Sequence, residues 1–262
     1  MLTDCFILRK NQGIPYYSCR AFESLSWLRH GFSTRFGADG ALLNLNPSSC
    51  DSPARVSENR RRLLAALNLE NAVLVTLNQT HSNVVHTIES ALGSWDQAEG
   101  DALITNVKNV APAVKTADCF PLLIVDPVHK AVGAVHSGWR GTLAGILPNA
   151  IREMTRRFHS EPSSLMVALG PGIRECCFEV GSEVAELFML NYPSTAKPIP
   201  ERPGKYYLNL AGVLRTQLTL VGVHEKNLYD MGACTCCGTR EFFSWRMEGS
   251  ASGRMMAVIS IF

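Results

Sequence analysis

Cys119 and His136 are the side chains whose types and spacing point most directly to chemistry. A thiolate and an imidazole are donors for zinc or copper, and the same pair can act as a nucleophile with its general base. The stretch around them explains how they would meet. Phe120 to Val125 and Ala131 to Val135 are short apolar runs, with Asp126-Pro127-Val128-His129 between them as a turn. Too few residues intervene for a parallel crossover, so the segment from Thr116 to His136 predicts an antiparallel hairpin. With those four residues as the loop, Val125 faces Lys130 and Cys119 stands opposite His136, their Cβ atoms about 4.5–5.5 Å apart. A loop one residue longer leaves them diagonal neighbours.

His81 is the third candidate. It lies in the polar turn Asn78-Gln79-Thr80-His81-Ser82, after a predicted strand from Ala72 to Leu77 and before another from Asn83 to Ile88. Loops at strand ends gather site residues, whereas His86, on the alternating strand, reads as a hydrogen-bonded sheet residue. If His81 converges with Cys119 and His136, the three leave a fourth position open, which is the arrangement of catalytic zinc. Trigonal copper also accepts two histidines and a cysteine. The chain has seven histidines and no His-x-His pair, too little for a multi-copper cluster. A metal-free alternative has Cys119 as nucleophile and His136 as base in a hydrolase or deamidase. A non-enzymatic binding module stabilised by metal would need four protein ligands.

The elements that must position these residues follow from the pattern. Opening strands to residue 30 lead into His30-Gly31-Phe32-Ser33-Thr34-Arg35-Phe36-Gly37 and a polar loop through Asp39 to Leu45. Ser52 or Asp51 caps a helix from Pro53 to Leu69 with Val56, Leu63, Leu64 and Leu67 on one stripe. Asp101-Ala102-Leu103-Ile104-Thr105-Asn106 and Val110 to Val114 approach the hairpin. After it, residues 136–142 turn into a helix with the stripe Leu143, Ile146, Leu147, Ala150, Ile151, Met154 and Phe158; Pro148 either kinks it or marks its first turn. The Gly138 to Gly141 turn with Arg140 forms a candidate anion seat. Leu165 to Leu169 is a buried strand, Val180 to Leu190 a helix, 193–204 a surface excursion, Leu208 to Val221 a helix, and Arg254 to Phe262 a last strand.

Composition narrows the classes. The 262 residues are 46% apolar, carry a formal net charge of +2 and show no basic run beyond Arg60-Arg61-Arg62, so neither nucleic acid nor membrane is an expected partner. The start of the chain does not read as a secretory signal and no apolar run reaches the ~18 residues of a membrane span. A cytoplasmic protein, a small-molecule partner and a monomer are the expectations. Nine cysteines in a chain of this size read as reduced thiols rather than a disulfide framework. Cys234, Cys236 and Cys237 with Cys176 and Cys177 are read as lacking the C-x2-C spacing of common zinc ribbons, so a structural zinc there is the less favoured reading. Residues 1–262 read as one compact α/β (α+β) domain.

The motifs GFSTR at Gly31, NQTHS at Asn78, DALITN at Asp101, TADCFPLLIVDP at Thr116, AVHSGWRGTLAGI at Ala134, GPGI at Gly170, FEVG at Phe178, CT at Cys234, FFSWR at Phe242 and GR at Gly253 together resemble the laccase-domain family. Its members, first called polyphenol oxidases, are described as purine nucleoside phosphorylases with adenosine deaminase activity. The resemblance implies a layered sandwich of mixed β-sheets flanked by helices. It also implies one catalytic zinc on His81, Cys119 and His136, and purine nucleosides (adenosine, inosine, methylthioadenosine) and phosphate as substrates. Its distant likeness to toxin deamidases with a Cys-His pair keeps the hydrolase alternative open. The chain departs from the family pattern at Ala38-Asp39, Phe178, Trp245 and Met247, positions that bear on substrate preference rather than on the ligands.

An open zinc site would activate water for attack on C6 of adenosine. Phosphorolysis instead needs cations to hold phosphate at C1′ of the ribose, and Arg35 and Arg140 with Gly138 are the candidates. Asp101 is a candidate general acid, base or partner of a ligand. Asp118 should point to the sheet face opposite Cys119 and is not counted as a ligand.

Overall fold

The computed structural model describes residues 4–38, 40–47, 51–91, 93 and 95–262. Asp39 and the first three residues, which entered the sequence reading, lie outside them. In chain order the strands are β1 (Phe6–Asn11), β2 (Ile14–Cys19), β3 (Leu28–Ser33), β4 (Val73–Val75), β5 (Val85–Ile88), β6 (Ala102–Thr105), β7 (Val110–Thr116), β8 (Phe120–Asp126), β9 (Ala131–Ser137), β10 (Met166–Leu169), β11 (Glu179–Gly181), β12 (Ala196–Pro198), β13 (Lys205–Leu208), β14 (Leu228–Asp230) and β15 (Met255–Ile261). The helices are α1 (Arg20–Glu23), α2 (Pro53–Ala66), α3 (Trp139–Leu143), α4 (Ile146–Phe158), α5 (Ser182–Asn191), α6 (Leu210–Leu220) and α7 (Trp245–Glu248).

The strands form two six-stranded sheets, β1-β2-β3-β15-β7-β4 and β14-β10-β8-β9-β6-β5, and a small third sheet, β11-β13-β12. Both large sheets are mixed, with parallel pairs β4–β7, β5–β6 and β10–β14 among antiparallel ones. This is the layered sandwich expected. Side-chain alternation shows why the layers stack. Met255, Ala257, Ile259 and Ile261 of β15 enter the core between the sheets, whereas Met256 and Val258 meet Leu63, Leu64 and Ala66 of α2 on the outer face. In β8, Leu123 and Val125 point into the inter-sheet core, and Phe120, Leu122 and Ile124 pack under α4 and α6. The stripe of α4 is buried as its spacing predicts, through Leu147, Ala150, Ile151, Met154 and Phe158. Each large side chain so buried contributes about 1.5–3 kcal/mol.

Several boundaries differ from the sequence reading. The hairpin forms, but Asp126 pairs with Ala131 and Val125 with Val132, so the loop is Pro127 to Lys130. The cause is Asp126, whose carboxylate accepts from the Val128 and His129 amides and builds the turn from the last strand residue. His136 therefore faces Pro121, and Cys119 is its diagonal neighbour. Thr116 belongs to β7 in the other sheet, so Ala117, Asp118 and Cys119 cross between sheets. The helix expected after Gly138 is two helices, because Gly145 takes a left-handed conformation (φ 79°) between α3 and α4; Pro148 falls in the first turn of α4. Ser52 caps α2, and Pro53 opens it. Asn209 caps α6 and delays its start to Leu210, leaving Leu208 at the end of β13. The expected surface excursion contains β12, and α5 begins at Ser182, after β11.

Candidate metal centre

Each of the three candidate donors is placed by a different element. Cys119 ends the crossing that leads into β8. His136 is on β9, and His81 sits in the turn between β4 and β5. The structure brings all three together: one donor atom of each lies within 4.8 Å of the others, and Cys119 Sγ is 3.6 Å from His81 Nε2. The two imidazoles meet edge to face, with ring centroids 4.9 Å apart.

Asp101, just before β6, organises this convergence. Its carboxylate accepts from the amides of Thr80 (3.3 Å), His81 (3.1 Å) and Ser82 (2.6 Å) and from the Ser82 hydroxyl (2.7 Å). These bonds hold the turn in which His81 takes a left-handed backbone (φ 60°), uncommon outside glycine. The same carboxylate is 2.7 Å from His136 Nδ1, and the Asp101 carbonyl accepts from the His136 amide at 2.7 Å. Nδ1 therefore carries the proton and Nε2 is left as the donor atom, the tautomer that metal ligation needs. Asp101 is fully buried and does not line the cavity, so its position is that of a residue that orients ligands rather than one that meets substrate.

Gly138 has a steric role. A Cβ there would stand 2.6 Å from His81 Cδ2 and 2.9 Å from Cys119 Sγ, so only glycine leaves room for the donors. Asp118, left-handed at φ 85°, accepts from the hydroxyls of Thr235 (2.6 Å) and Ser244 (2.8 Å) and from the Arg246 amide (2.7 Å). Those partners occupy its carboxylate, in keeping with its exclusion from the ligand set.

The electrostatics favour a thiolate. Burial by itself pushes the Cys119 thiol up, but His136 and then His81 outweigh burial and bring it down to about 6. Burial likewise pushes His136 down, and the Cys119 thiolate with the Asp101 carboxylate reverses this, raising it to about 9. A soft anionic sulfur, two aimed imidazoles and a cleared space fit a single ion with one side open to the cavity.

That cavity, of about 480 Å³, is of the size usual for small-molecule sites. Phe178, Trp139 and Trp245 supply aromatic lining, and Lys115, Arg246 and Arg254 supply positive charge. The structure does not bring Arg35 or Arg140 into it. Arg35 is turned away, ion-paired with Glu248 at 2.8 Å and held by the carbonyls of Thr239 and Phe242. Arg140 is exposed and stacks on the outside of Trp139, 4.3 Å from the ring centroid. The five-residue α3 is also too short for its dipole to make an anion seat at Gly138. Sequence reasoning missed Lys115, Arg246 and Arg254 as cavity-lining residues, although the last two stand in the FFSWR and GR motifs.

The family model described as multi-copper polyphenol oxidoreductase laccase matches residues 29–262. This chain belongs to that family. Within the laccase family it is 39% identical over 237 residues to a purine nucleoside phosphorylase of Deinococcus radiodurans, with 88% of each chain covered. It is 33% identical over 235 residues to adenosine deaminase RL5 from an unknown prokaryotic organism, covering 85% of this chain and 89% of that one. The crystal structure of YlmD from Geobacillus stearothermophilus superposes with a TM-score of 0.87 at 30% identity, covering 99% of both chains. Among the described residues no helix is long and apolar enough to cross a membrane.

Proposed function

We propose that the chain is a purine nucleoside phosphorylase that also deaminates adenosine, with zinc held by His81, Cys119 and His136. The observation that carries this reading is the convergence of those donors in the wall of a cavity lined by aromatic rings and cations. A zinc ion there would supply Lewis acidity and activate water at neutral pH. The aromatic faces of Trp139, Trp245 and Phe178 suit a purine base, which binds by stacking. Arg246 is fixed by the hydrogen bond its backbone N–H donates to the Asp118 carboxylate and by those its guanidinium donates to the carbonyls of Cys177 (3.2 Å) and Glu179 (3.0 Å). Arg254 is anchored on the carbonyls of Ser252 and Gly253. Lys115 donates to the Leu77 carbonyl at 3.1 Å, and burial, then Arg60, brings it down to about 8. We assign phosphate to these three cations in place of Arg35 and Arg140. The names of the relatives support both reactions, and the donor set supports zinc over a multi-copper cluster, which needs more histidines than gather here.

A second reading has its own support: Cys119, His136 and Asp101 stand in the relation of nucleophile, base and orienting acid, as in cysteine hydrolases. The two readings separate on His81, which only the metal needs. Chromatography of products from adenosine and inosine, with and without phosphate, tests the proposal. Phosphate-dependent release of adenine or hypoxanthine, lost with zinc in both His81→Ala and Cys119→Ala, is expected. Full activity in His81→Ala, with none in Cys119→Ala, would establish the nucleophile reading instead.

A further inference from the structure

The sequence offers a second set of donors that the cavity does not use. Cys176 and Cys177 lie in the connection after β10, and Cys234 and Cys237 lie after β14. Because β10 and β14 are parallel neighbours, both connections leave the same end of the sheet, and a bridge between Gly172 and Cys234 keeps them side by side. Their four sulfurs all lie within 4.8 Å of one another. Cys237 Sγ is 3.3 Å from Cys177 Sγ and 3.6 Å from Cys176 Sγ.

We propose that Cys176, Cys177, Cys234 and Cys237 bind a structural zinc ion, distinct from the one assigned to His81, Cys119 and His136. A tetrahedral zinc with Zn–S bonds of about 2.3 Å sets its sulfurs about 3.8 Å apart, within the spread of the four thiols. A disulfide would use two of them, need a sulfur separation of about 2.05 Å, and leave the other two thiols crowded against it. Contrary to the reading of the run as lacking it, Cys234 and Cys237 do have the C-x2-C spacing of a zinc knuckle, with the adjacent pair Cys176-Cys177 as the other half. Zinc knuckles stabilise their thiolates with backbone amides. Here the Arg174 amide donates to Cys234 Sγ at 3.4 Å, and the Gly238 amide closes the turn on the Cys234 carbonyl at 2.9 Å. Arg174 is in turn ion-paired with Asp230 at the end of β14, so the site's frame does not depend on the ion alone. Cys176, Cys234 and Cys237 line an adjoining cavity of about 660 Å³, which gives an ion its path in. Four thiolates and no solvent ligand make a closed site, suited to structure rather than catalysis.

The ion would fix one wall of the substrate cavity. Cys177 and Glu179 give the carbonyls that hold Arg246, and Phe178 between them lines the cavity. A clamp on Cys176 and Cys177 therefore bears on two lining residues without touching them.

The test is elemental analysis of the full chain, purified with reductant and passed through a mild chelator. Wild type should hold about two zinc ions per chain, Cys119→Ala about one, Cys237→Ser about one, and the double variant none. Cys236→Ser, in the same run but outside the four, should keep the wild-type content. Unchanged zinc in Cys237→Ser, iron in place of zinc, or a Cys177–Cys237 disulfide mapped by mass spectrometry would overturn the proposal. Should Cys237→Ser fail to fold, the Cys119→Ala chain loaded with cobalt decides the matter. Thiolate-to-cobalt charge-transfer bands are expected from it, and their absence overturns the site. The outcome does not depend on the metal at His81 or on the reaction proposed there, since Cys119→Ala removes that ion from the count.

Discussion

Asp101→Asn tests the reasoning about the metal centre at its origin. The amide keeps one accepting oxygen, and the side facing Thr80 and Ser82, with three donors, holds it best. The amide nitrogen then replaces the oxygen that faces the His81 amide at 3.1 Å and His136 Nδ1 at 2.7 Å. Donor meets donor at His81, leaving a buried N–H without a partner at a cost of about 1–3 kcal/mol. His136 can restore its bond only by accepting at Nδ1, which moves its proton to Nε2 and blocks the donor atom. Loss of such an orienting partner lowers metal affinity about 10–100-fold, equivalent to about 1.4–2.7 kcal/mol. Melting of the metal-free chain should fall by about 2–4 °C for each kcal/mol lost. The assay is chelator competition for the zinc that Cys119→Ala removes, alongside melting of the metal-free protein. Zinc affinity within threefold of wild type would refute the role given to Asp101.

Three other outcomes are expected. In metal-free protein the proton sits on His136 (about 9) and not on Cys119 (about 6), whereas a loaded site needs both bare. Loading near pH 7.5 should therefore release about one proton and affinity should rise about tenfold per pH unit between 6 and 9, as calorimetry of Cys237→Ser in several buffers would show; no proton release contradicts the assignment. Gly138→Ala should lose metal and activity while still folding, because its methyl meets His81 and Cys119; retained zinc in the purified variant would count against the packing argument. Arg254→Ala should raise the KM for phosphate about tenfold or more while sparing deamination, with Arg140→Ala close to wild type in both; the reverse pattern in initial rates would restore Arg140 to the site.

The hairpin and the meeting of Cys119 with His136 were legible because both depend on local signals, alternating apolar runs and a turn residue. Its register slipped because Asp126 serves at once as strand end and turn builder. His81 could be singled out as a turn residue, but its left-handed backbone rests on Asp101, twenty residues away, which no local pattern reveals. The cations failed for a related reason. Arg140 is close to a ligand in sequence yet faces solvent, whereas Arg246 and Arg254 reach the cavity from the far end of the chain. Likewise, Cys176 and Cys177 meet Cys234 and Cys237 only because β10 and β14 pair in parallel across a long excursion.

The two sides of the cavity differ in what they tolerate. Every residue of β8 and β9 is buried, so a change near Cys119 or His136 disturbs packing on both faces of a sheet. The opposite side is different: α7 has no buried residue, and Trp245 is 50% exposed and Met247 61%. Substitutions there cost the core little. The fold thus separates a side of the cavity that must stay fixed from a side free to vary, and a library at Trp245, the α7 aromatic that lines the cavity, could alter what the proposed enzyme binds while leaving His81, Cys119 and His136 in place.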